Sequence, residues 1–219
     1  MKLPYGLADF KSLREQGYLY VDKTDYIEML ESMGGKYLFF IRPRRFGKTL
    51  FLSTLEHYYD VDAKDAFDRL FGDLYIGGHP TQLRSSYLVF RLNFSAMNTD
   101  SKERLNLSFI QAFKDAIRGF FSKYQAYLAD TEKLREQSAT LGDLRSLWNL
   151  LFAAVRPSGH KIYLIIDEYD HFANDIIAMG DGQFYKDIVR SSGFVRDFYE
   201  AVKIGTESVI DRIFITGIS

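Results

Sequence analysis

"YLFFIRPRRFGKTLFLSTLEHYY", residues 37–59, decides how the rest of the chain is read. It passes from an apolar strand, through a tight basic turn, into an amphipathic helix. The turn ends in Gly47-Lys48-Thr49, the second half of a phosphate-binding loop. Arg42, however, stands five positions before Gly47, where such a loop normally opens on glycine. In the order strand–GKT–helix, the loop amides and the helix N-terminus turn partial positive charge toward a phosphate. Lys48 is then placed to reach β- and γ-phosphates, Thr49 to offer a hydroxyl to Mg²⁺, and Gly47 to let the backbone come close. Because the GKT triplet also arises by chance, the reading needs a second half elsewhere in the chain.

That second half is "IYLIIDEYD", residues 162–170, about 120 residues further on. Asp167 follows an apolar run at the carboxyl end of a predicted strand, where ligands gather in open α/β sheets. There it suits the Mg²⁺ shell, and Glu168 beside it suits a general base that polarises water. Acids also follow buried strands simply because the chain returns to solvent. The order strand–GKT–helix, then strand–DE, is what favours ATP or GTP binding. A third piece is "IFITGIS" (213–219), which puts Thr216 and Ser219 at the tip of a later strand. Either residue suits a γ-phosphate sensor, and both also suit an ordinary turn.

Composition sets the frame. The 219 residues are 47% apolar and 16% aromatic, with 19 Phe and 15 Tyr, enough for a large core. Twenty-eight basic residues balance 29 acidic ones, and the pI is near 6.4, so no global pull toward nucleic acid or anionic membrane exists. Without Cys there are no disulfides, thiolate zinc sites or Cys nucleophile. The four His (57, 79, 160, 171) have no ligand-like spacing. "MKLPYGLADF" lacks a signal-peptide core, and no stretch approaches 18 apolar residues, so a soluble cytoplasmic chain without membrane contact is expected.

Along the chain, residues 1–36 read as an N-terminal arm, and 37–219 as the core. In the arm, "GYLYVDKTDYIEMLESMGG" (17–35) turns from a short aromatic strand into a helix. Asp25 and Glu28 stand at capping-box spacing, and Gly34-Gly35 end it. "KYLFFI" (36–41) has the continuous apolar character of a strand buried on both faces. After the GKT helix come a short helix around 63–74, a turn-rich stretch (75–86), and a second strand, "YLVFRLNFSA" (87–96). A long helical region is expected from Ser101 to about Leu134, with Leu105, Phe109, Phe113, Ile117 and Phe120 on one face. Another helix covers 141–155. The third strand follows at 161–170, then a Gly/Asp-rich loop (179–183), a helix at 184–202 and a last strand at 212–219. Strands alternating with crossover-length helices predict one α/β domain, with a mainly parallel sheet between two helical layers.

"LPYGLADFKSLREQGYLYVDKTDYIEML" (3–30), "FFIRPRRFGKTLFLSTLEHYY", "LIIDEYDHF" (164–172) and "FITGIS" (214–219) together resemble, in order, the motifs of the bacterial and archaeal AAA-ATPase-like family. The resemblance covers nearly the whole chain and implies a P-loop NTPase fold of the ASCE type. It also implies ATP and Mg²⁺ as cofactors. The family's loop typically reads R-P-R-R-x-G-K-T, so Arg42 is its usual first residue. Pro43 then stiffens the turn that glycine would have made. Arg44 and Arg45 add guanidinium forks for phosphate, or for acids such as Asp167 and Asp170, unless both are simply solvated. The resemblance implies nucleotide contacts from Arg42, Pro43, Arg44, Arg45, Phe46, Gly47, Lys48, Thr49 and Leu50. Mg²⁺ would fall to Thr49 and Asp167, and catalysis to Glu168, Lys48 and Thr216. "YLYVDKT" (18–24) would lie near base and ribose, with Asp22 or Lys23 as polar contacts and Tyr18 or Tyr20 stacking, unless these aromatics serve the core.

Family members resemble STAND-type ATPases and usually carry a PD-(D/E)XK nuclease-like domain toward the C-terminus. The expected sheet order, 5-1-4-3-2, needs a fifth strand beside residues 37–41. That strand, the helical lid and the nuclease-like domain are not among these 219 residues. The function implied is a Mg²⁺-dependent ATPase module. Its partners would be the nuclease-like domain, other protomers or a client. A nucleotide-gated switch or scaffold with little hydrolysis, and a small-molecule kinase, are the alternatives. No guanine-reading Asn-Lys-x-Asp occurs, and nothing in this segment indicates nucleic acid.

Overall fold

The computed structural model describes residues 2–171 and 194–217. Among these residues, four parallel strands form one sheet: β1 (Tyr37–Ile41), β2 (Tyr87–Asn93), β3 (Lys161–Asp167) and β4 (Ile210–Gly217), in the order β1-β4-β3-β2. Parallel neighbours need crossovers, and the helices between them supply these on both faces. Leu88, Phe90, Ile162, Leu164, Ile213 and Ile215 face one layer. That layer comprises α6 (Lys102–Lys123), α8 (Leu144–Val155) and α9 (Phe194–Thr206). Trp148 fills its centre, with its ring 4.6 Å from Phe113 and 5.5 Å from Phe198.

The opposite strand residues, Val89, Tyr163, Ile165 and Phe214, face α3 (Lys48–Tyr59) and the short helices α1 (Phe10–Glu15) and α4 (Phe67–Phe71). On α3 the expected apolar side is buried through Leu52, Leu55, Tyr58 and Tyr59, while Leu50 is half-buried. Phe10 of α1 is fully buried, stacked on Phe71 at 4.8 Å, so the arm is built into this layer. The three-layer arrangement thus rests on two separate apolar cores.

Several local expectations are corrected. "KYLFFI" is not buried on both faces. β1 is the edge strand of the described sheet, and only Leu38 and Phe40 pack inward, whereas Tyr37, Phe39 and Ile41 are exposed. Among the described residues, the layer of α6, α8 and α9 buries β2, β3 and β4 but does not extend over this side of β1, where Phe39 meets the Tyr169 ring at 5.7 Å. Residues 17–22 form no strand; their one sheet-like pairing is a bridge from Tyr18 to Lys2. Helix α2 (Asp25–Ser32) starts after Thr24, and Asp25 is its first residue rather than a cap. Glu28 accepts from the Tyr75 hydroxyl of α5 (Tyr75–Gly78) instead of closing a capping box.

The predicted long helix also breaks. Helix α6 starts after Ser101, whose hydroxyl accepts from the Arg104 amide, but stops at Lys123. Tyr124 leaves the helical register because its buried hydroxyl donates to Asp60 at 2.9 Å and accepts from the Val89 amide at 2.8 Å. A separate helix, α7 (Thr131–Thr140), follows Asp130, whose φ is 54°. The predicted loop at 179–183, the first part of the predicted helix 184–202, and Ser219 lie outside the described residues.

Candidate phosphate-binding site

β1 delivers the chain into the loop 42–47, and Gly47 turns it into α3 with φ 78°. A left-handed residue with a side chain costs about 1–2 kcal/mol, which explains glycine here. Nothing stands within 4 Å of the Cβ an alanine would add, so the penalty is one of backbone alone. Gly47→Ala is therefore expected to lower unfolding stability by about 1–2 kcal/mol in a denaturant titration. Arg45, two residues earlier, already holds this conformation at φ 65° with a full side chain. Glu168, at the acidic strand end, does the same at φ 52°. Two of the four non-glycine residues with positive φ among those described thus flank this one region, and such strain concentrates at functional sites.

Lys48 folds back into the loop. Its ammonium donates to the carbonyls of Arg42 and Pro43, both at 2.9 Å, and the residue is only 6% exposed. No acid pairs with it among the described residues, so a buried cation is held by neutral carbonyls at the head of a helix. A buried charge is costly unless it is paired, so this ammonium suits an anion. Thr49 is half-buried one residue into α3. Arg42, Pro43, Arg44, Arg45 and Phe46 are exposed around the loop. Arg42 donates to the Ile41 carbonyl and lies over the Phe40 ring, while Arg44 and Arg45 form no ion pair among the described residues.

Strand register brings the other half alongside. Phe40 pairs with Thr216 and Ile41 with Gly217, and the Arg42 amide reaches the Gly217 carbonyl at 3.4 Å. Asp167, 1% exposed at the end of β3, accepts the Thr216 hydroxyl at 2.6 Å. Thr216 also accepts the Glu168 amide at 3.3 Å. Asp167 and Thr216 continue the strand faces of Ile165 and Phe214, and so point to the α3 side of the sheet. Gly217 must stay bare: a Cβ there would fall 2.4 Å from the Tyr169 ring and 2.9 Å from the Asp170 carboxylate. The Glu168 side chain is only half-buried.

The arm segment closes one side. A cavity of about 470 Å³ opens between Leu19, Tyr20 and Lys23 of the arm and Arg45, Phe46 and Gly47 of the loop. Tyr20 is drawn inward rather than left to stack freely, its hydroxyl 3.4 Å from Thr54 and its ring 5.1 Å from Phe10. Burial raises its phenol pKa. Asp22 is not among the residues that line this cavity and is engaged in structure. One carboxylate oxygen accepts the Thr24 amide and hydroxyl, the other the Tyr75 amide. Burial opposes its charge, yet these bonds outweigh that and hold its pKa below the ordinary value.

Sequence reasoning missed Arg91. This guanidinium on β2 lies 3.4 Å from Asp167 and 3.2 Å from Glu56 of α3. Glu56 in turn meets Lys123, which pairs with Asp60 at 2.5 Å. Burial alone would depress the Lys123 ammonium, but Asp60 and Glu56 outweigh it and hold its pKa above the usual lysine value. The available signal was an arginine inside the apolar run "YLVFRLN", since a charge on a buried strand needs partners.

Among the described residues, no group of three or more His, Asp or Glu could hold a metal by itself. A Mg²⁺ held mainly by phosphates and water needs few protein ligands, and the Thr49 hydroxyl and the Asp167 carboxylate are oxygen donors of the kind it takes. Also among the described residues, no helix is long and apolar enough to cross a membrane.

A family profile described as "Predicted AAA-ATPase" (AAA-ATPase-like) matches residues 4–219. An uncharacterized protein in the vnfD 5′ region of Azotobacter chroococcum mcd 1 is 53% identical over 55 residues, which are 25% of this chain and 10% of that protein. The chain thus matches about a tenth of this curated relative's length. No solved structure matches the chain.

Proposed function

The chain belongs to the AAA-ATPase-like family, and from that premise we propose that it binds ATP with Mg²⁺ and hydrolyses it. The observation that carries this reading is Lys48, a nearly buried ammonium at a helix N-terminus with carbonyls and, among the described residues, no acid as partners. Triphosphate would replace those carbonyls and supply the missing negative charge. Lys48 and the loop amides hold its β- and γ-phosphates, and Arg44 or Arg45 neutralises charge at the outer side. Thr49 and Asp167 would hold the Mg²⁺, which would supply positive charge against the charge that develops on the phosphates. Thr216 orients Asp167 through its hydroxyl bond, and the Glu168 carboxylate takes a proton from the attacking water. Lys23, on the cavity wall, would meet the nucleoside from the arm. Calorimetric titration with MgATP and MgGTP tests the reading. Saturable MgATP binding supports it, and no binding of either rejects it.

The activity of the whole protein, including coupling to a nuclease-like domain, belongs to the same proposal. So does self-association. β1 has an unpaired outer edge among the described residues and exposes Phe39 and Tyr37 beside it, a surface that invites pairing with another chain. Phe39→Lys would place a charge in that surface. In sedimentation velocity at tens of micromolar, the unaltered chain is expected to form dimers or larger species and the variant to remain monomeric. Identical profiles would rule out this edge as the contact.

A further inference from the structure

We infer that Arg91 is a positioning residue for Asp167, one that joins the acidic strand end to the phosphate-loop helix and sets how well the site takes Mg²⁺. This rests on the nucleotide reading above and deepens it. β2 and β3 pair in register, Arg91 beside Ile165 and Asn93 beside Asp167. The arginine thus reaches along the sheet on the α3 side, past its own neighbour, to the end of β3. There one arm of its fork meets Asp167 Oδ2 at 3.4 Å, and the other meets Glu56 Oε2 at 3.2 Å. Glu56 belongs to the helix whose first turn carries Lys48 and Thr49. A single planar side chain therefore links the two halves of the site.

The environment makes that link consequential. Asp167 is 1% exposed, and Arg91 is its only ion-pair partner among the described residues. A carboxylate so buried needs a counter-charge. Thr216 occupies one position on Oδ1 and Arg91 one on Oδ2. An ionised carboxylate has about four acceptor sites, so capacity remains for a metal or its water. Lys123 steadies Glu56 from the far side, and with it the arginine. Such outer partners orient the groups that hold a metal, and their loss typically weakens metal affinity by about 10–100-fold. Binding through Lys48 and the loop amides does not pass through Arg91.

The test uses the full chain and a fluorescent ATP analogue, titrated in EDTA and then against MgCl₂, with circular dichroism to check folding. Arg91→Met is expected to raise the Mg²⁺ half-saturation about tenfold or more, while affinity in EDTA stays within about twofold. Arg91→Lys keeps the cation but not the fork, and is expected to recover part of that loss. On an Asp167→Asn background, Arg91→Met should add nothing, because it acts through Asp167. An unchanged Mg²⁺ half-saturation, or fully additive effects, would overturn the inference and leave the phosphate-loop reading standing. If the unaltered protein fails to bind the analogue with or without Mg²⁺, both fall. Should Arg91→Met not fold, Arg91→Lys carries the test by itself: a several-fold rise in half-saturation upholds the link, and the unaltered value refutes it.

Discussion

Lys48→Ala is expected to weaken MgATP binding by about 100-fold or more while the fold persists. A hydrogen bond to a charged group contributes about 1.5–3 kcal/mol, and two made to phosphate oxygens give roughly 3 kcal/mol or more. At about 1.4 kcal/mol per decade, that is a hundredfold in dissociation constant. The loss is larger than for a surface lysine because this ammonium is 6% exposed and already aimed into the loop. Little ordering remains to be done on binding. Stability should change much less, since the variant deletes a buried cation that has no acid partner among the described residues and leaves two loop carbonyls free to meet water. Calorimetric titration together with a denaturant curve decides it. Unchanged affinity in a folded variant would mean that phosphate is held elsewhere or not at all.

The elements around the candidate site were legible in the sequence as far as chain order could carry them. A glycine, a lysine and a hydroxyl between an apolar strand and a helix predict a loop at Gly47-Lys48-Thr49, and it is there, with Gly47 left-handed. An apolar run ending in acids predicts β3 ending at Asp167. What stayed hidden depends on neighbours far along the chain. Arg91 finds Glu56 and Asp167 at separations of 35 and 76 residues, and no local pattern announces such a pairing. Whether "YLFFI" is a central or an edge strand is a property of the sheet, so the apolar run suggested burial that Tyr37 and Phe39 do not have. The break at Tyr124 is similar. Helical periodicity continues past it, but a buried hydroxyl bonded to Asp60 draws that residue out of the helix.

The two acids at the end of β3 stand in different surroundings, and their variants are expected to differ accordingly. Asp167 is sealed between Thr216 and Arg91. Glu168 is half-buried, and its backbone is held left-handed at φ 52°, at a cost of about 1–2 kcal/mol. Adjacent carboxyls in unlike environments commonly divide the work of a site. Glu168→Gln preserves shape and removes the base. On the intact protein it should slow ATP hydrolysis by about 10²–10⁴-fold with MgATP affinity nearly unchanged. Asp167→Asn should instead weaken the Mg²⁺-dependent part of binding. Glu168→Gly separates strain from chemistry: it relieves the positive φ, and so should raise unfolding stability by up to about 1 kcal/mol while slowing turnover as the glutamine does. A stabilised but slowed glycine variant would mean that the strained backbone at Glu168 is maintained for the carboxylate it presents. Equal behaviour of Glu168→Gln and Asp167→Asn in binding and in turnover would refute the division of roles.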